Sequence, residues 1–390
     1  MARREPITIG HYYPKTRLRE ASGKAIFIRE LAAEVDSLAE SVVYSGVKRP
    51  HATESTYETV EMAIPDTAFA AAVQRSLPIL GNDDIVSLRT LAAGIRSGLV
   101  AHINTTVDVL ITHYYLDDLV LSRLVDVPTI YQYHGFSAVG VGGKVRERLS
   151  ATDIHVANSH ATAAAVTDAL DREVDHVVTP GVDVDRFSPD AEPAFDRPEP
   201  TVTFVGRLAE AKGVFDLLDA FEPLSDDAHL CFVGDGAGPQ GASIADALSR
   251  RVRELGIGDD VTFFGEVPHD DLHRYYAASD IVCYPTYYDG FGLVNIEAMA
   301  CGVPVVTTRV DGVEAYATHE ENSLLVEPGE PAELAAALRR LVSSPRLRDR
   351  LGTAGRTVAE RYSWRSQAES LIDFCTTVAA EPRARPTTHR

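Results

Sequence analysis

The chain predicts an α/β protein of two similar-sized domains, each organised around a parallel sheet. Short apolar runs alternate with helical patterns through most of the 390 residues, the trace that βα units leave in a sequence. The alternation then restarts in the second half. Between the halves lies "SPDAEPAFDRPEP", whose four prolines and low apolar content are the composition of a linker. No shorter period repeats, so a solenoid is not expected.

In the first half, β-branched and aromatic runs place strands at "ITIG", "DVLITHY", "TIYQYHG", "IHVANS" and "HVVTPG". Helical periodicity falls between them, over "AIFIRELAAEV" and over the segment opened by "NSHATAAAVTDAL". The second half places strands at "TVTFVG", "HLCFVG", "VTFFG", "DIVCYP" and "VPVVTT". The expected division is a first Rossmann-like domain over 1–187, a linker over 188–200 and a second Rossmann-like domain over 201–365. Residues 366–390 carry a last helix and a tail, "EPRARPTTHR", expected to be disordered. Such sheets take ligands outside the carboxyl ends of their strands. Two facing domains would line one cleft with those ends, and each motif below falls at a strand end.

Composition narrows the function classes. At 45% hydrophobic the chain can bury full cores, yet no stretch approaches the roughly 18–20 uninterrupted apolar residues of a spanning helix. The start, "MARREPITIGHYYP", passes from two arginines straight into a strand-like run, so no secretory signal and a cytoplasmic location are expected. Cys231, Cys283, Cys301 and Cys375 are widely spaced and match neither a zinc pattern nor a disulfide framework; four buried thiols are expected. A formal charge of −20 argues against a nucleic-acid partner, because phosphate backbones need a basic face. Lysine is confined to Lys15, Lys24, Lys48, Lys144 and Lys212, while arginine, aspartate and alanine abound. That bias points to a high-GC, salt-adapted source with its acidity spread over a solvated surface.

Chemistry concentrates in the second half. "VGRLAEAKG" sets Arg207 and Lys212 between Gly206 and Gly213, on the turn from a strand into a helix. Two cations there suit a diphosphate, Arg207 as a bidentate fork and Lys212 as a point charge. The alternative is a pair of solvated surface cations. "CFVGDGAG" supplies Gly234, Asp235 and Gly236, which either let backbone approach a ligand or simply form a tight turn. "VTFFGEVP" supplies Gly265, Glu266 and Val267, whose backbone groups can grip a flat base edge or form an ordinary βα loop.

The strongest stretch is "YYDGFGLVNIEAMACGVPVV". A glycine-rich loop feeding a helix offers N–H groups and the positive end of the helix dipole, here through Phe291, Gly292 and Leu293. Glu297 would accept from a ribose diol and Asp289 would face a second set of hydroxyls. Both acids are expected at the cleft, clear of the core. The competing reading makes Asp289 a turn former and Glu297 an ordinary helix-surface acid.

Together "GRLAEAKG", "VGDG", "FFGEVP" and the long acidic stretch resemble the C-terminal domain of the retaining, GT-B fold glycosyltransferases of family 4. The resemblance extends to "SGKAIFIRELAAEV", "DVLITHY", "YHG", "VANSHAT" and "TPGVDVDRFSP", and so covers nearly the whole chain. It implies two facing Rossmann-like domains, the first for the acceptor and the second for a nucleotide sugar, with the last helix crossing back to the first. It implies that Arg207 and Lys212 bind and stabilise the donor diphosphate, that Glu297 holds the ribose as second acid of an E-x7-E motif, and that Asp289 lies against the donor sugar. Backbone near Phe291, Gly292 and Leu293 would touch sugar and phosphate, Gly234 would admit the donor, and Val267 would meet the base. His134 resembles a histidine that approaches the transferred sugar. Gly23 matches one glycine of a Gly-Gly loop whose other member is Ser22 here, and Lys24 would add a phosphate contact. The family's first acid is usually Glu; Asp289 is shorter by about 1.5 Å. Ser159 is explained as a helix N-cap.

The implied reaction is transfer of a sugar, with retention, from a nucleotide diphosphate donor to an acceptor hydroxyl on a glycan, a lipid-linked sugar, a polysaccharide or a small metabolite. A hexosyltransferase-like enzyme is expected. No Asp-x-Asp metal site stands out, so neither catalytic metal nor other cofactor is expected. A lipid-linked acceptor would bring peripheral contact with the inner membrane face. Two rivals share the architecture: a nucleotide-sugar epimerase, which needs no acceptor, and a non-catalytic sugar-nucleotide binding protein. A phosphorylase would need a pyridoxal-phosphate lysine in the second domain, where Lys212 is the only lysine.

If the acidity is a salt-adapted surface, self-repulsion weakens the fold at low ionic strength and added salt screens it. The melting temperature should then climb from dilute buffer to molar KCl; a flat or falling curve would remove that reading.

Overall fold

A computed structural model describes residues 6–13, 23–47, 56–63, 82–135, 151–152, 154–236 and 238–381. Lys15, Ser22, Lys48, Lys144 and the tail from 382 lie outside them. The chain forms two compact units, one comprising the residues up to Gly181 together with those from Trp364 onward, the other Val182–Ser363.

The first unit carries a seven-strand parallel sheet in the order β3-β2-β1-β4-β5-β6-β7. Its strands are β1 Thr8–Tyr13, β2 Glu40–Val47, β3 Glu58–Ala63, β4 Val109–Thr112, β5 Thr129–Tyr133, β6 Ile154–Ala157 and β7 His176–Val177. β1, β4 and β5 are buried along their whole length, as strands covered on both faces must be. The order reverses between β1 and β4, the switch point at which open α/β sheets bind ligands. The edge strand β3 lies within a stretch that looks like a loop in sequence. Its run ETVEMA puts Glu58 and Glu61 in solvent and Met62 inside, an acidic edge that hides the strand signal.

The second unit repeats the plan with six parallel strands in the order β10-β9-β8-β11-β12-β13. They are β8 Thr201–Val205, β9 His229–Val233, β10 Val261–Gly265, β11 Ile281–Tyr284, β12 Val305–Thr308 and β13 Leu324–Val326. The switch point lies between β8 and β11. Two apolar clusters cover the sheet, one around Phe204, Phe221 and Phe232, the other around Tyr276, Phe291 and Met299.

The units divide at positions other than those expected. The segment 188–200 contains no helix or strand, but it is packed on the second unit rather than strung between units. The Phe195 ring stacks on Phe264 at 5.1 Å, the Ala194 N–H donates to the Arg274 carbonyl, and the Arg356 guanidinium donates to the Val184, Phe187 and Ala300 carbonyls. Prolines made the stretch look like a linker; the two phenylalanines, Phe187 and Phe195, anchor it.

The final helix, Trp364–Ala380, belongs to the first unit. It buries Trp364, Leu371 and Cys375 in one cluster with Phe27, Ile28 and Leu31 of the helix Gly23–Leu38. All four cysteines are free and buried. Among the described residues, no helix is long and apolar enough to cross a membrane.

Gly181 sits where this helix begins. A Cβ there would stand 2.7 Å from both the nitrogen and the Cα of Trp364, backbone that cannot step aside. Gly181→Ala should therefore destabilise the first unit by about 1–3 kcal/mol, the usual cost of overpacking. Urea unfolding of the full chain checks this, and an unchanged midpoint would mean that the helix start yields freely.

Candidate functional site

In the second unit the sheet delivers the sequence motifs to neighbouring strand ends. Gly206 follows β8, Gly234 follows β9 and Gly265 ends β10, all at positive φ. The Gly206 N–H donates to the Val233 carbonyl at 2.9 Å, and the Gly234 N–H to the Gly265 carbonyl at 2.7 Å. A Cβ on Gly234 would lie 2.0 Å from the Gly206 oxygen, so close backbone approach alone accounts for that glycine. Asp235 is exposed, and Gly236 donates to its carboxylate. Val267 is half-buried against the Phe291 cluster.

Across the switch point, β8 leads to Arg207 and Lys212 and β11 leads to Asp289. Gly213, at φ 67°, ends the short 3-10 turn Glu210–Lys212, and a Cβ there would stand 2.0 Å from the Pro285 oxygen. That contact ties the Lys212 turn to the end of β11. The Lys212 Nζ donates to Asp289 Oδ2 at 2.8 Å and lies 5.0 Å from the centre of the Tyr284 ring. The Tyr284 hydroxyl donates to the same Oδ2 at 2.8 Å. Arg207 is exposed, with no ion pair of its own among the described residues.

The other oxygen of Asp289 faces its own loop. Oδ1 accepts from the N–H groups of Phe291 at 3.2 Å and Gly292 at 3.1 Å. Two of the amides expected to face a ligand are thus held by Asp289, the turn-forming role that competed with the sugar-facing one. The shorter acid explains this, because an Asp carboxylate reaches the backbone two and three residues on as an Asx turn does. Gly292 then adopts φ 79° and the helix Leu293–Ala300 begins. Leu293 and Val294 open that helix, so their N–H groups have no carbonyl within it to bond. The Phe291 ring is buried against Tyr316 and Tyr362, and the Tyr316 hydroxyl donates to the Phe291 carbonyl. The Asp289 carboxyl is pushed up by burial, but the Lys212 charge and the bonds from Lys212, Tyr284 and the Phe291 N–H bring it below its usual range.

Glu297 lies deeper than expected. It is only 4% exposed, with Oε1 bonded to His269 Nε2 at 2.7 Å and Oε2 accepting from the Tyr276 hydroxyl at 2.8 Å. It is therefore part of the core as well as of the strand-end face. One turn of helix beyond Leu293 carries the side chain inward onto Tyr276, which the sequence pattern around GFG does not reveal.

In the first unit, His134 follows β5, half-buried, with its ring edge-on to Phe27 at 5.3 Å. Gly23 is exposed, and a Cβ there would touch nothing, so packing does not require it. The Lys24 Nζ donates to the His113 carbonyl at 3.3 Å. The Ser159 hydroxyl caps the helix His160–Leu170 by accepting from the Thr162 N–H. Sequence reasoning missed Tyr284, Tyr276, His269, His11 and His113, which stand on or beside strands and helices whose letters look like ordinary core. It also passed over one Asp-x-Asp triplet, Asp183-Val184-Asp185. There Asp183 Oδ1 accepts from the Asp185 and Arg186 N–H groups and its Oδ2 pairs with Arg186, so this aspartate forms a turn.

Two outcomes follow for the acids. Glu297→Gln puts an amide N–H₂ against one of its two donors, His269 Nε2 or the Tyr276 hydroxyl, and should cost about 1–3 kcal/mol of stability; near-native urea unfolding would contradict the burial described. Asp289 has a native value below its ordinary 3.8, so its contribution is complete above that pH and disappears as pH falls through the lower native value. The stability gap between the native chain and Asp289→Asn should be open at neutral pH and close in strong acid, and a gap independent of pH would refute the ion pair.

Residues 185–358 match the family described as glycosyl transferases group 1. The chain is 32% identical over 296 residues to a D-inositol 3-phosphate glycosyltransferase of Corynebacterium jeikeium, covering 68% of this chain and 71% of that protein. It is 32% identical over 352 residues to a protein of the same name from Rhodococcus opacus, covering 83% and 79%. Among solved structures it is similar to a sucrose-phosphate synthase from Thermosynechococcus elongatus, with TM-score 0.78 and 22% identity over 95% of this chain and 99% of that one. The last likeness shows the fold, which is GT-B. The chain belongs to the glycosyl transferases group 1 family, as a glycosyltransferase that draws on a nucleotide-sugar donor.

Proposed function

We propose that the protein is a retaining, metal-independent hexosyltransferase of family 4, with its donor held at the strand ends of the second unit. The observation that carries the reading is the meeting of Lys212, Asp289 and the start of the helix Leu293–Ala300 at the β8/β11 switch point. As the anomeric C–O bond breaks, negative charge gathers on the β-phosphate. Arg207, Lys212 and the Leu293 and Val294 N–H groups suit that charge, and stabilising it as it develops lowers the barrier. The acceptor oxygen bonds to the anomeric carbon on the face the phosphate leaves, and the departing phosphate oxygen takes the acceptor's proton. No external reactant is needed. Glu297 holds the ribose from its fixed position on His269 and Tyr276, Val267 meets the base, and His134 meets the transferred sugar.

With Asp289 oxygens already bonded to Lys212, Tyr284 and two amides, its sugar contact is made by sharing one of those oxygens. The name common to the relatives supports a small phosphorylated polyol as acceptor, ahead of a lipid-linked glycan or a polysaccharide. Location in the cytoplasm and an acidic, salt-adapted surface remain part of the proposal.

The test is product analysis by NMR after incubation with nucleotide sugars and inositol phosphate, in the presence of EDTA. Retained anomeric configuration with turnover undiminished by the chelator is expected. An inverted product, or activity restored only by magnesium or manganese, would overturn it; conversion of donor without acceptor would indicate an epimerase.

A further inference from the structure

Three imidazoles stand in a row at the first unit's own switch point. His11 lies on β1, His113 directly follows β4 and His134 directly follows β5, three neighbouring strands of the sheet. His11 Nδ1 is 3.2 Å from His113 Nε2, and the two rings stack with 9° between their planes. His113 Nδ1 is 2.8 Å from His134 Nε2. His11 is 0% exposed and His113 1%. The arrangement is a chain of hydrogen bonds rather than a metal site, since among the described residues no group of such ligands is placed to hold an ion. We propose that His11 and His113 are positioning residues that hold His134 in the one neutral tautomer that carries its proton on Nδ1, so that it donates a hydrogen bond to an oxygen of the transferred sugar. This rests on the reading of His134 as a sugar contact.

Proton accounting along the row decides the tautomer. A neutral imidazole has one N–H and one lone pair, so in a row of three each ring dictates the next. Burial holds His11 and His113 in the neutral form, with the Lys24 charge adding to the effect at His113 and His134. Only two directions are then open. In one, the protons point from His134 inward, and His11 ends the row with a buried Nε2–H. In the other they point outward: His11 Nδ1–H donates to His113, His113 Nδ1–H donates to His134 Nε2, and His134 Nδ1–H faces away. His11 Nε2 is buried with no hydrogen-bond partner among the described residues. Unpaired buried N–H groups are rarer in proteins than under-used acceptors, which selects the outward run. His134 Nδ1 has no partner among the described residues and is the end of the row that can meet a ligand. In this state His134 cannot serve as a base through Nδ1.

Nitrogen-15 correlation spectra of the imidazoles in the full chain read the tautomer directly. His134 Nε2 should show as an unprotonated acceptor and Nδ1 as protonated; the reverse assignment, or rapid averaging of the two, would overturn the proposal without any variant. Replacing His113 supplies the functional readout. His113→Leu should lower kcat about tenfold, the worth of one hydrogen bond, and send His134 into a mixture of tautomers. His113→Asn, whose amide can donate from the position of Nδ1, should restore most of both. Loss of kcat that Asn does not restore, or an unchanged His134 spectrum in His113→Leu, would reduce the row to packing. His134→Ala separates the two levels: full turnover there would dismiss the sugar contact itself, whatever tautomer the spectra report.

Discussion

The ion pair between Lys212 and Asp289 is the constraint on which the second unit's site depends. It joins a turn after β8 to a loop after β11, the two strands that flank the switch point. One Asp289 oxygen takes the cation and the Tyr284 hydroxyl, while the other gathers the Phe291 and Gly292 amides. Gly292 can then take its left-handed turn, and the helix Leu293–Ala300 starts in a fixed place with Glu297 directed inward. A half-buried pair of this kind adds little stability for its own sake, because desolvation offsets much of the attraction. Its larger effect is geometric. It holds a cation and a helix start beside one another before any ligand arrives, the preorganisation on which the proposed electrostatic catalysis rests.

The same logic explains why so many glycines cluster at the strand ends. At Gly234 a Cβ would stand 2.0 Å from the Gly206 carbonyl oxygen, and Gly213 lets the Lys212 turn lie against the Pro285 carbonyl. Each removes a Cβ where two strand-end loops meet. The first unit carries a row of histidines at its switch point, with His11 and His113 buried and His134 half-buried.

Much of this was legible in the sequence, for identifiable reasons. Parallel strands buried on both faces leave continuous apolar runs, and the second half's five expected strands all stand in its sheet. The acidic edge strand β3 was not legible, because the exposed Glu58 and Glu61 interrupt its apolar run. The prolines at 189, 193, 198 and 200 suggested a linker, whereas Phe195 stacking on Phe264 decides the packing. For the site, residue types and spacing pointed to Asp289, Lys212 and Glu297, but not to what they touch. Asp289 bonding its own loop follows from a side chain one carbon shorter than Glu. Glu297 against His269 and Tyr276 is a tertiary contact made across 28 and 21 residues, and nothing local announces it.

The proposed function makes Lys212 the partner of the second phosphate of a nucleoside diphosphate. Calorimetric affinities of the native chain and of Lys212→Met for a nucleoside diphosphate and the matching monophosphate test it most directly. The native chain should prefer the diphosphate, Lys212→Met should lose about 10- to 150-fold toward it, as for a charged hydrogen bond, and the variant's monophosphate affinity should barely change. An equal loss for both ligands, or a diphosphate preference untouched by the substitution, would contradict it.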